Sequence, residues 1–167
     1  MAANVIEMNP VSRITTGFVG VPGQRTFYLQ ARKGSTLVTL LMEKEQVAAL
    51  AQSVLQLIEH LDQNFPAVST APLPRNMSLE QPLQPLFRVG QMGLGYDQEH
   101  DLLVLVAQEL ATHEEGEEDD LASLNDEGDD ADPNGDVVRM WASRGQMEAL
   151  AHHAADIVKQ GRPTCPL

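Results

Sequence analysis

One amphipathic pattern occurs twice in this chain, and it constrains the possible folds more than any other feature. The stretch EQVAALAQSVLQLIEHL covers residues 45–61, and GQMEALAHHAADIVKQG covers residues 145–161. In each stretch, apolar residues recur three and four positions apart, which is the spacing of one face of an α-helix. Gln, Ala, Leu and Ala stand at equivalent places in both. The spacing predicts two helices, and their likeness suggests a repeated unit.

Three strand-like segments precede each helix. They are rich in β-branched and aromatic residues, and turn sequences such as VPGQ, RKGS and DQEH separate them. The segments cover residues 12–21, 25–31 and 36–42 before the first helix, and residues 86–96, 101–110 and 136–143 before the second. The predicted element order is therefore βββα, followed by a connector and a second βββα.

The two units agree in register once a single insertion is allowed. The third strands and the helices align with a shift of 100 residues, whereas the first strands align with a shift of 75, which pairs Arg13 with Arg88. The difference of 25 is the length of residues 111–135. We interpret this as duplication of an ancestral βββα unit. The alternative is that two unrelated units share one pattern.

Each unit has too few strands to bury its own apolar surface, so the two are expected to share one core. The predicted class is α+β, with two tandem βββα repeats forming about six mainly antiparallel strands, two packed helices and a pseudo-twofold axis. The expected segments are an N-terminal tail (1–11), the first repeat (12–65), a proline-rich connector (66–85), the second repeat (86–162) with an acidic disordered insert (111–135), and the remnant of a cysteine-containing tail (163–167).

The negative charge of the chain is concentrated in the insert. Residues 114–136 hold 12 of the 24 acidic residues and no Lys or Arg, so the rest of the chain is almost neutral although the net charge is −13. A block of like charges repels itself and stays solvated. Because there is no basic stripe to release counterions from phosphates, duplex nucleic acid is not an expected partner.

The chain also lacks the features of membrane and secreted proteins. Its longest apolar run, residues 102–107, is too short to cross a bilayer. A secretory signal has a basic start and a hydrophobic stretch, and the N-terminus has neither. We therefore expect a cytoplasmic protein without a membrane partner.

Four arginines are the candidate ligand-binding residues. Arg13 and Arg88 occupy equivalent places in the first strands of the two units, and Arg25 and Arg32 are close to Arg13 in the sequence. Together they could line an anion-binding cleft between the repeats. The alternative is that they are edge-strand charges, which discourage aggregation.

The end of the acidic insert resembles the start of a calcium-binding loop. Asp130, Asp132, Asn134 and Asp136 alternate as the first ligands of such a loop do. The twelfth position, which requires a bidentate Glu, is Trp141. Solvation, or diffuse association of cations, is the alternative interpretation.

Several motifs carry a resemblance to a known family. GFVGVPGQRTFYLQA, the acidic insert before WASRGQMEALA, and the ending GRPTCPL are similar to a bacterial, mainly actinobacterial family, domain of unknown function (DUF) family 3090. The resemblance implies a cysteine-rich, zinc-ribbon-like tail in a longer form. Cys165 would be its first zinc ligand only if the chain continues beyond Leu167. We expect no cofactor in the present chain.

The leading functional hypothesis is a non-catalytic binding or adaptor protein, whose acidic loop contacts a protein partner. No Ser-His-Asp or Cys-His set can be assembled from the sequence. The alternative is a small-molecule enzyme that acts on an anionic substrate in a cleft between the repeats, with Arg13 and Arg88 as anion clamps.

Overall fold

The protein consists of seven strands and two long helices within the residues that the structure describes. A computed structural model describes residues 4–21, 23–65, 76–110 and 135–160. The strands are β1 (Val5–Met8), β2 (Arg13–Val19), β3 (Thr26–Lys33), β4 (Thr36–Met42), β5 (Pro85–Asp97), β6 (Leu102–Glu109) and β7 (Val137–Ser143), and the helices are α1 (Lys44–Asn64) and α2 (Arg144–Gln160). The predicted α+β class is therefore confirmed.

All seven strands form a single mixed sheet in the order β1-β7-β6-β5-β4-β3-β2. Neighbouring strands are antiparallel except at two places, where β4 runs parallel to β5 and β1 runs parallel to β7. The first predicted unit thus joins the second through its third strand, and β1 stands beside β7 as β5 stands beside β4. The duplication itself and the pseudo-twofold axis stay predictions.

Strand β1 lies within the segment that the sequence predicted to be a tail. Val5 to Met8 pair with Val137 to Met140 at one edge of the sheet, and Met8 is buried in the core. Glu7 forms an ion pair of 2.9 Å with Arg139 on the neighbouring strand. Four residues with a charge in the middle give no clear alternation, and the partner strand lies far along the chain, so local patterns could not reveal this strand.

Both helices bury the faces that their spacing predicts. In α1 the buried residues are Val47, Leu50, Ala51, Val54, Ile58 and Leu61, and in α2 they include Met147, Leu150, Ala151, Ala154 and Ile157. These side chains and one face of the sheet form a single hydrophobic cluster. Among the described residues, no helix combines the length and apolar character needed to span a bilayer.

The opposite face of β2, β3 and β4 carries a polar strip. Thr15 pairs with Gln30, which pairs with Thr39, and Arg13 pairs with Arg32 in the next row. Residues 76–80, which we call the strap, contact this strip. The strap leads into β5.

Candidate functional site

The structure divides the four candidate arginines into two pairs. Arg13 and Arg32 lie directly opposite each other on β2 and β3, and both form ion pairs with Glu80, at 3.2 and 2.7 Å. Arg25 and Arg88 instead line a separate cavity. Arg13 and Arg88 therefore do not line one cleft.

Glu80 fixes the strap to the polar strip. The Gln30 side chain donates from Nε2 to the Glu80 carbonyl at 2.9 Å and accepts from the Glu80 N–H at 2.7 Å. Hydrogen bonding and charge from Arg32, with a smaller contribution from Arg13, hold the pKa of the Glu80 carboxyl below its ordinary value. Arg13 also donates to the carbonyls of Asn76 and Ser78. Arg13 and Arg32 therefore hold the strap against the sheet.

Gly17 allows the strap to approach β2. A Cβ atom added at Gly17 would lie 2.8 Å from Leu79 Cγ, which is closer than Cβ atoms normally approach another carbon. The Leu79 side chain therefore packs directly on the Gly17 backbone. Thr15 secures the same contact by donating from Oγ1 to the Met77 carbonyl at 2.6 Å.

The cavity that contains Arg25 and Arg88 lies where the two predicted units meet. It has a volume of about 430 Å³. The start of β3, the end of β4, the start of α1 and the beginning of β5 contribute to its walls, through Gly23, Arg25, Thr26, Phe27, Met42, Glu43, Lys44, Glu45 and Arg88. Two of the four sequence-predicted arginines line this cavity, and we take it as the candidate binding site.

The charges around this cavity are mixed, with an excess of one basic group. Arg25, Lys44 and Arg88 are basic, whereas Glu43 and Glu45 are acidic. Arg88 Nη1 lies 2.6 Å from Glu43 Oε2, with both side chains largely exposed. The Arg25 guanidinium lies 4.4 Å from the centre of the Phe18 ring, which is the distance of a cation–π contact. Phe27 and Met42, both buried, supply apolar lining.

A second cavity lies between the strap, the edge strand β2 and α2. Its volume is about 570 Å³, and His153 and Ile157 of α2 line it. Burial lowers the pKa of His153, and the charge of Asp156 opposes this only in part. His153 lies at the rim of the apolar face of α2, where its ring is half-buried.

The turn between β5 and β6 brings three possible metal ligands together. One ligand atom each of Asp97, Glu99 and His100 lies within 4.8 Å of the others. His100 Nδ1 is 2.9 Å from Asp97 Oδ2, and this contact raises the pKa of His100 and lowers the pKa of Asp97. Since Glu99 and His100 are exposed and the Asp97–His100 pair accounts for the contact, the geometry is that of a hydrogen-bonded turn.

The nearly buried Arg144 is the residue that sequence reasoning missed. Its exposed fraction is 8 %, and it donates from Nε to Asp101 Oδ1 at 3.0 Å and from Nη1 to Asp62 Oδ1 at 2.9 Å. It also donates to the Phe65 carbonyl and to the Tyr96 hydroxyl. Arg144 thus connects the start of α2 to the end of α1 and to the β5–β6 turn. These partners are distant in sequence, so no local pattern could identify them.

The acidic insert begins and ends on neighbouring strands. Leu110 donates its N–H to the Arg88 carbonyl at 2.8 Å, and Glu109 donates its N–H to the Asp136 carbonyl at 3.0 Å. Asp136 in turn donates its N–H to Glu109 Oε1 at 2.9 Å, and its own Oδ1 accepts from the Asn4 N–H at 3.3 Å. These bonds hold the two ends of the insert next to each other, where β6 ends and β7 begins.

Some sequence-predicted residues lie outside the described part of the chain. These are Asp130, Asp132, Asn134 and Cys165, together with residues 111–134 of the insert. Asp136 is described, and its contacts with Asn4 and Glu109 are those of a strand end. A zinc ribbon requires four ligands, so Cys165 as a first zinc ligand stays a prediction that concerns a longer form of the chain.

Comparison with known proteins yields a family match over almost the entire chain. The family model described as "Protein of unknown function (DUF3090)" matches residues 6–167. No curated protein and no solved structure matches the chain.

Proposed function

The chain belongs to the DUF3090 family, and from this premise we propose that it is a non-catalytic binding or adaptor protein of the bacterial cytosol. The body of sheet and helices acts as a rigid platform, and the acidic insert, residues 111–135, is the arm that contacts a partner. Because the arm is strongly acidic, the partner is a protein with a basic surface.

The observation that carries this proposal is the way in which the arm is attached. Strands β6 and β7 are adjacent and antiparallel, with Gln108 opposite Val137, so the arm replaces a hairpin connection. The bonds between Glu109 and Asp136 close the sheet beneath it. A long insertion at such a place costs the fold little, because the entropy of closing a loop grows slowly with its length. The arm can therefore be retained for binding without being required for folding.

The arrangement of the described polar groups also favours binding over catalysis. Arg13 and Arg32 are held by Glu80 and do not converge with Arg88 on a shared cleft. Within the described ranges, the walls of the Arg88 cavity provide no Cys or His as nucleophile or base. The second candidate remains an enzyme for an anionic substrate, which the presence of Arg25 and Arg88 in one cavity favours.

We further propose that the platform arose by duplication of a βββα unit. Two observations support this origin. Strand β4, the third strand of the first unit, has β5 as a parallel neighbour. Strand β7, the third strand of the second unit, has β1 as a parallel neighbour. Each helix begins directly after its third strand and has Gln at the third position of its first turn.

The arm is tested by changing its charge while preserving its length. In one variant, the Asp and Glu residues of 114–132 become Asn and Gln; in a second, the same residues are kept in scrambled order. Crosslinking and affinity capture with the full-length chain should recover a partner through the native and scrambled arms, but not through the neutral arm. Equal recovery of the same partner by the neutral variant would refute the proposed role of the arm.

A further inference from the structure

We propose that the cavity lined by Arg25, Lys44 and Arg88 binds a small molecule with an oxyanion group, phosphate or carboxylate, beside an uncharged part. Arg88 and Lys44 hold the oxyanion, Arg25 adds positive potential, and Phe27 and Met42 contact the uncharged part. This site is independent of the acidic arm and goes beyond the adaptor role; it also specifies the ligand class for the cavity in which the alternative enzyme would act.

The fold brings these basic groups together from three separate elements. Leu41 of β4 pairs with Arg88 of β5, so the parallel junction places Arg88 beside the end of β4. Helix α1 begins immediately after β4, which puts Lys44 at the same end of that strand. Arg25 comes from the turn that precedes β3, whose Phe27 pairs with Met42 at the end of β4. The cluster therefore depends on the junction between the two units.

The size and lining of the cavity suit a small ligand. Its volume of about 430 Å³ falls in the range of small-molecule sites. Guanidinium groups bind phosphate and carboxylate through two parallel hydrogen bonds, whereas an ammonium group acts as a point charge. Arg88 and Lys44 thus offer complementary contacts to one oxyanion, above the apolar lining of Phe27 and Met42.

A ligand oxyanion can replace the carboxylate that Arg88 now contacts. The Arg88 and Glu43 side chains are 44 % and 59 % exposed, and ion pairs that exposed contribute little net free energy. Glu45 also lines the cavity and repels an entering anion. Removing the Glu45 charge should therefore strengthen binding, whereas removing the Arg88 charge should weaken it.

The chain offers a closely matched control for Arg88. Arg139 is also 44 % exposed and forms an ion pair of 2.9 Å with Glu7, which is 54 % exposed. This pair lies on β7 and β1 at the far edge of the sheet, away from the cavity. Arg139→Gln thus removes the same charge from the same kind of pair without altering the proposed site.

The test is isothermal titration calorimetry of the full chain with inorganic pyrophosphate or citrate, in a low-salt buffer free of other multivalent anions. We expect Arg88→Gln to weaken binding about tenfold or more, because a charged hydrogen bond is lost. Lys44→Gln should weaken binding by a smaller factor, Glu45→Gln should strengthen it, and Arg139→Gln should leave it unchanged. A preference for pyrophosphate or for citrate identifies the oxyanion.

Three outcomes would overturn the proposal. They are no binding of either anion up to about 10 mM, equal affinity of Arg88→Gln and the native chain, and equal losses in Arg88→Gln and Arg139→Gln. The last result would indicate a general charge effect. Thermal unfolding of each variant confirms that it is folded, and the variant with a neutral arm should retain anion binding even if its partner is lost.

Discussion

Gln46 and Gln146, 100 residues apart in the sequence, make the same pair of hydrogen bonds. Gln46 Oε1 accepts from the Glu43 N–H at 2.8 Å, and Gln146 Oε1 accepts from the Ser143 N–H at 2.9 Å. Gln46 Nε2 donates to the Val89 carbonyl at 2.9 Å, and Gln146 Nε2 donates to the Val11 carbonyl at 3.3 Å. Each Gln therefore caps its helix and links the helix to a neighbouring segment. Gln46 contacts the parallel strand β5, and Gln146 contacts the residues that follow the parallel strand β1. This equivalence favours the proposed duplication.

The two glutamines should contribute similarly to stability. Gln46→Ala and Gln146→Ala each remove a cap and a tie to the neighbouring segment, so we expect each to lower the free energy of unfolding by about 1–2 kcal/mol. Gln56→Ala, at an exposed position inside α1, is the control and should be neutral. Urea denaturation monitored by circular dichroism measures all three. A neutral Gln146→Ala beside a costly Gln46→Ala would argue against equivalent roles.

Arg144, whose side chain is almost completely buried, should be costly to replace. Arg144→Leu removes its hydrogen bonds to Asp62, Asp101 and Tyr96, and we expect a loss of about 2–3 kcal/mol. Arg144→Lys keeps the charge but cannot span the same partners, so its cost should be intermediate. Arg139→Leu, in an exposed pair, should change stability by less than about 0.5 kcal/mol. Equal effects of Arg144→Leu and Arg139→Leu in urea denaturation would refute this role.

Glu80 should make the protein sensitive to acid. Its pKa is lowered in the folded chain from an ordinary value of 4.5, mainly by Arg32, so the folded state prefers the ionised carboxylate. This stabilisation is complete above pH 4.5 and is lost as the pH falls through the lowered pKa. The difference in unfolding free energy between the native chain and Glu80→Gln should therefore shrink with acidification. A difference that stays constant with pH would show that Glu80 acts only through its shape.

Two histidines should titrate on opposite sides of the ordinary value of 6.5. Contact with Asp97 raises the pKa of His100, and burial lowers the pKa of His153. NMR titration of the imidazole resonances separates them, and Asp97→Asn should return His100 toward 6.5 while leaving His153 unchanged. Because neutral His153 is favoured by folding, its contribution to stability is complete above pH 6.5 and is lost as the pH falls through its lowered pKa. Coincident titration of both rings would contradict these environments.

What the sequence could predict depended on how local the determining interactions are. The helical faces that contain Leu50 and Leu150 followed from spacing alone, because amphipathicity is a local pattern. Strand β1 was missed because its register is set by Val137 and its neighbours, which no local pattern encodes. The anion cleft was expected around Arg13 and Arg88, but the connector supplies Glu80, and this carboxylate engages Arg13. Tertiary partners of charged side chains are therefore what the sequence could not provide.

The contact between Gly17 and Leu79 should determine how closely the strap can lie on the sheet. In Gly17→Ala the new methyl group would meet Leu79 Cγ at 2.8 Å, so the Leu79 side chain or the strap that carries it must shift, and we expect a loss of about 1–3 kcal/mol. Gly93→Ala is the control, because an added Cβ there has no neighbour within 4 Å. Leu79→Ala should relieve the overlap, so the double variant should be more stable than the sum of the single changes indicates. A double-mutant cycle in urea measures this coupling, and strictly additive effects would mean that the strap does not rest on Gly17. Since the Glu80 N–H of the strap donates to Gln30 Oε1, a displaced strap should also speed the hydrogen exchange of this backbone amide.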